Sequence, residues 1–240
     1  PTRTPPPNRT IGHHVKSVFQ RAMGDDFDRL HPQMRRRLSV GLASDEALIG
    51  RGTMDRIWHG ARFVKPFLAL GSMRNILVPR TGRDVPFTIV NLPYTDDAGR
   101  EAVTFVRTFA FPGRPRRFDA TMVYAEERGR LVDYLGTHQH LACDLHVEAD
   151  GDGGAVIRSD RLRFREGPVD VAVPSLITGD AVVRERYDPD TGRFRVSVRV
   201  SNRRFGPLFG YEGSFAAEYR PAGYGPPPAP LRPRRQESRV

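Results

Sequence analysis

Cysteine is almost absent from this 240-residue chain. Cys143 stands alone, which excludes an internal disulfide framework and a cysteine-built zinc site. It alternates with Leu141 and Leu145, so it reads as a buried, inert thiol. Lysine is nearly missing as well: Lys16 and Lys65 are the only two among 38 basic residues. The net charge of +10 is therefore an arginine charge. High-GC coding produces such a bias as readily as a polyanionic partner does. The clusters Arg35–Arg37, Arg116-Arg117 and Arg232–Arg235 are short and scattered, so no nucleic-acid partner is expected. No run approaches the ~18 apolar residues of a membrane span, and no apolar signal segment opens the chain. The expected setting is soluble, reducing and cytoplasmic. Gly-rich phosphate loops, G-x-S-x-G elbows and H-E-x-x-H helices are all missing, which removes nucleotide, serine-hydrolase and zincin chemistry. No cofactor is expected.

What is present organises as one domain. Residues 1–11 and 221–240 are rich in proline and lack apolar periodicity, so both are expected to be disordered. Residues 12–220 form the folded part. Val15 to Leu38 reads as helix, interrupted at Gly24-Asp25-Asp26, with an aspartate there able to cap the second segment. Ala47 to Trp58 reads as a strand, and Phe63 to Leu70 as a short helix or turn. From Pro86 onward the apolar period is two. Val103, Phe105, Phe109 and Phe111 share one face, as do Phe118, Ala120, Met122 and Tyr124. Leu131 to Val147 follows as a strand-like run. Asp188-Pro189-Asp190-Thr191-Gly192 is a hairpin signal, before the alternations Phe194 to Val200 and Tyr211 to Tyr219. Eight to ten strands with hairpin connections predict an α+β, mainly β fold. N-terminal helices would accompany a large antiparallel meander closing into a lipocalin-like barrel. Such a barrel holds one small ligand.

Two features carry candidate chemistry. In Gly136-Thr137-His138-Gln139-His140, strand alternation would point His138 and His140 the same way as Tyr134 and Asp144. Three readings stay open. Solvated or hydrogen-bonded structural histidines are one. A general acid/base oriented by Tyr134 or Asp133 is the second. The third is a metal site of His138, His140 and Asp144, which looks like a cupin's first motif but lacks a downstream histidine. The other feature is Arg107, a charge within an aromatic face that requires a partner. Pairing Phe111 with Arg117 places it diagonal to Asp119, as a structural ion pair or as an anion anchor in a pocket. Phe105, Phe109, Tyr124, Phe209 and Tyr211 would line that pocket. Around Phe209, Asn202 to Tyr211 reads as an aromatic turn that plugs or rims one barrel end.

Several segments together resemble one family. They are Val18–Arg21 through Leu30-His31-Pro32, Gly50–Met54, Arg83–Phe87, Arg107–Phe109, Phe118–Met122, Asp133–His138 and Phe205–Tyr211. The pattern is similar to an uncharacterised bacterial domain of unknown function, sometimes fused behind saccharopine-dehydrogenase-like reductases. The resemblance implies nothing firm about activity, and this chain shows no reductase half. The leading expectation is a barrel that binds a hydrophobic small molecule. If catalytic, it would be a cofactor-independent cyclase or isomerase of bacterial specialised metabolism, with a histidine as acid/base and Arg107 on a developing oxyanion. The alternatives are a non-catalytic domain docking onto a reductase in trans, and a cupin-like metal enzyme.

Overall fold

The computed structural model describes residues 16–60, 73–76, 78–174, 178–223 and 226–240. Short α-helices α1 (Val18–Met23) and α2 (Pro32–Leu38) flank a 3-10 segment at Gly24–Arg29. Ser17 starts α1 with a capping box, its hydroxyl accepting from Gln20 N while the Gln20 side chain accepts from Ser17 N. The cap of α2 is not an aspartate as the sequence suggests. His31 Nδ1 accepts from Gln33 N (3.2 Å), and Pro32 occupies the first turn.

Among the described residues eleven strands follow: β1 (Glu46–His59), β2 (Gly82–Thr95), β3 (Glu101–Phe109), β4 (Arg116–Ala125), β5 (Arg130–Leu135) and β6 (Leu141–Ala149), then β7 (Ala155–Glu166), β8 (Val169–Ala172), β9 (Asp180–Asp188), β10 (Arg193–Asn202) and β11 (Gly206–Pro221). Every neighbour is antiparallel. The order β6-β5-β4-β3-β2-β1-β11-β10-β9-β7 returns on itself through β6–β7, so ten strands close a lipocalin-like barrel and β8 hangs on β7. The segment expected as one run, Leu131 to Val147, is two strands with a turn between them. The expected element at Phe63 to Leu70 lies outside the described residues. Residues 226–240, expected to be disordered, lie along the outer wall, where Val240 packs on an apolar cluster.

Alternation puts Phe87, Ile89, Phe105, Phe109, Met122, Leu131, Phe194, Val196, Phe209 and Phe215 inside the ring. Gly50 makes space for one of them. A Cβ there would come within 2.7 Å of Phe215 Cδ2 and 2.5 Å of Ile89 Cγ2. One end is sealed by the N-terminal segment, whose Val18, Phe19, Met23, Phe27, Leu30, Met34 and Leu38 join the same core. Burial of each contributes roughly 1.5–3 kcal/mol.

A buried ion pair fixes this plug. Arg37, 2% exposed, binds Glu185 on β9 through Nε (2.7 Å) and Nη2 (3.0 Å) and lies over Phe215. Removing one partner of such a pair strands a charge and costs about 3–5 kcal/mol, whereas apolar replacement of both is often neutral. We therefore expect Arg37→Ala to lower stability by that order in guanidinium denaturation. Arg37→Met with Glu185→Leu should recover most of the loss.

Candidate functional site

The ring gives the barrel an interior that is mostly aromatic but carries a few polar groups. Arg107 pairs with Ile89 on β2 and Phe118 on β4, so it points inward. Its guanidinium lies 4.9 Å from the Phe118 ring centroid and 5.4 Å from that of Phe105. Among the described residues, none forms an ion pair with it. Phe118, Leu162, Val183, Val200 and Leu208 pack on the same core yet remain half-buried, as Arg107 does.

The expected Arg107–Asp119 pair does not form. Phe109, not Phe111, opens the β3–β4 ladder opposite Arg116. That is an odd-numbered slip from the sequence register, and it turns Asp119 to the outer face. There Arg117 holds Asp119 through Nε (3.1 Å) and Nη2 (2.6 Å). Burial raises the Asp119 pKa against the opposing pull of Arg117.

The inward carboxyl is Asp133 instead. It pairs with Met122 on β4 and Cys143 on β6, and its Oδ1 is buried with no hydrogen-bond partner. Desolvation pushes its pKa up to about 7, with the positive charge of Arg107 acting in the opposite sense. A carboxyl in this state exchanges protons at neutral pH. Beside it the Cys143 thiol is driven up to about 12 by burial first and by Asp133 second, which leaves it without thiolate character. Asn91, inward on β2 opposite Phe105, has a second unpaired buried acceptor in Oδ1. Tyr211 lies edge-on to Phe109 with ring centroids 5.2 Å apart, and burial raises its hydroxyl pKa while Arg107 opposes the rise.

The pocket residues expected from sequence therefore divide. Phe105, Arg107, Phe109, Phe209, Tyr211 and Tyr124 all belong to or pack against the inner core, whereas Asp119 does not. The proposed catalytic group divides as well. Asp133 is inside, while Tyr134 has the opposite parity and faces outward in a separate apolar cluster. His138 and His140 are in the β5–β6 turn, not on a strand. Gly136 (φ 74°) makes this turn possible: a Cβ would come within 2.4 Å of Arg74 O.

The two imidazoles stack, centroids 5.8 Å apart and planes 8° off parallel. Arg235 Nη1 lies 2.9 Å from His140 Nδ1, which accepts when unprotonated. When protonated, Nδ1 faces acceptors in Glu166 Oε2 (2.6 Å) and Arg165 O (3.2 Å). Burial and nearby cations lower the His138 pKa. Asp144 does not join the histidines. Arg128 holds it through two bonds of 2.9 and 3.0 Å. Among the described residues, no three His, Cys, Asp or Glu side chains gather as metal ligands.

Fold and interior thus define a closed, helix-capped antiparallel barrel with a basic and a protonatable group enclosed. The chain belongs to the family described as "Domain of unknown function (DUF4166)", which matches residues 30–215. It is also 31% identical over 206 residues to a Bacillus subtilis (strain 168) protein described as "Uncharacterized protein YndH". That alignment covers 86% of this chain and 99% of the relative. Among the described residues, no helix is long and apolar enough to cross a membrane.

Asp133 makes a pH prediction. Its folded pKa of about 7 exceeds the ~3.9 of an unfolded aspartate, so the folded state holds the proton longer. Stability must then fall as pH rises from about 4 to about 7, by no more than ~1.4 kcal/mol per unit, and level off above. Asp133→Asn should remove this slope in denaturation curves at pH 5 and 8. Equal pH dependence in both proteins would show that Asp133 is not desolvated.

Proposed function

We propose that the barrel binds a small apolar molecule carrying one anionic or carbonyl group, with Arg107 as the anchor and Asp133 as its proton-exchanging neighbour. The observation that carries this reading is the unmatched charge of Arg107 in an aromatic interior. Arg37 has Glu185 as an ion-pair partner, whereas half-buried Arg107 rests on two ring faces and acts on Asp133, Glu185 and Asp119 only through space. A charge so placed is costly until an anion meets it. Half-buried Phe118, Leu162, Val183 and Val200 supply apolar wall beside it. If the bound molecule reacts, acid/base work of the cyclase or isomerase kind falls to Asp133, whose pKa matches the task better than the histidines' position does.

A dansyl-labelled fatty acid serves as the probe. Wild-type protein should bind it saturably, and Arg107→Leu should weaken binding at least ~10-fold, the value of one charge-assisted contact. The methyl ester of the same probe, which keeps the carbonyl but not the charge, should lose less affinity than the acid on Arg107→Leu. Absence of saturable binding by the wild type would sink the proposal.

A further inference from the structure

The outer wall over β2–β6 is apolar where an outer barrel face in water would be polar. Tyr94, Ala102, Val123, Val132, Tyr134 and Ala142 form a cluster there, with Val132 and Tyr134 fully buried. Val240 packs on this cluster, at the end of a segment that runs along the β5–β6 turn. We propose that this face is a docking groove for an extended peptide, occupied in cis by residues 226–240. A partner displacing them in trans would be an extended chain that presents its carbonyls to Arg100 and Arg165 and an apolar residue in the place of Val240.

The groove reads main chain, which makes it tolerant of sequence. Arg100 donates to Glu237 O (2.7 Å) and Ser238 O (2.8 Å), itself aligned by two bonds to Asp96. Tyr134 Oη and Arg165 Nη1 both donate to Arg239 O, and Gln139 Oε1 accepts from Glu237 N at 2.7 Å. Gln139 reaches that amide from a left-handed backbone (φ 53°), between the two stacked histidines. The conspicuous His138-Gln139-His140 turn thereby acquires a role as a receptor for peptide, with Arg235 seated on His140.

Side-chain selection comes from one position, Val240, which meets the apolar cluster. The Glu237 carboxylate, 4% exposed, is bound within the segment by Arg235 Nη2 (2.7 Å) and Arg239 Nε (2.7 Å). Those arginines hold its pKa down to about 2. The segment is thus shaped by its own charges before it docks, which lowers the ordering cost. Tyr94 to Arg165 lie within the family match of residues 30–215, while the occupant lies beyond it.

The test uses the whole chain carrying Val240→Asp and a fluorescent synthetic peptide of residues 226–240. In the variant, amide hydrogen exchange over 232–240 should accelerate, and the peptide should bind saturably by anisotropy. Wild type should capture it at least ~10-fold more weakly, because its own segment competes at millimolar effective concentration. Adding Arg100→Ala and Arg165→Ala should abolish capture, and a peptide itself bearing Val240→Asp should fail to bind. Unchanged exchange in the Val240→Asp chain would overturn the proposal. So would release of the segment without peptide capture, or equal capture of both peptides.

Discussion

Everything in this molecule depends on the ladder between β6 and β7. Without it the remaining strands would form an open twisted sheet with solvent on both faces and two free edges. With it, every other residue faces the barrel interior. Enclosure turns ordinary side chains into energetic problems that the chain must solve. Arg37 and Glu185 solve theirs by pairing, which also pins the helical plug to β9. Asp133 is left in part unsolved, with Oδ1 buried and unpartnered, and Arg107 rests on ring faces without an ion pair.

The outer wall obeys a different logic. Its aspartates are matched by arginines at short range: Asp119 by Arg117, Asp144 by Arg128, Asp96 by Arg100. Part of the arginine-rich composition is thus engaged in local pairing. The carboxylates are buried while the guanidiniums stay partly exposed. Their value here is positional, since Arg100 and Arg117 both go on to hold carbonyls of the 226–240 segment.

Much of the fold was legible because period two is a direct print of strand geometry. Phe118 to Tyr124 and Phe194 to Val200 face inward as their alternation requires. The barrel, the helical N-terminus and the inward Arg107 were all readable on that basis. Register was not. An odd-numbered slip between β3 and β4 moved Asp119 from partner of Arg107 to the outer face, and nothing in the two strands alone sets the loop between them. The turn at Gly136 was also missed, because apolar residues continue on both sides of it and conceal the left-handed positions at Gly136 and Gln139. That single misreading placed the histidines on a strand. Asp133 was named among the site residues, but as an orienting group. Its desolvation arises only when β4, β5 and β6 come together around it, which no local pattern reports.

The central claim is that ring closure buries Asp133 in the field of Arg107, and the carboxyl carbon of Asp133 reports this directly. Carbon-detected NMR titration of the wild-type protein should show a midpoint near 7, moving upward in Arg107→Leu as the opposing positive charge is lost. A midpoint near 4 that ignores Arg107 would mean that the carboxyl is solvated, and would contradict the enclosed site.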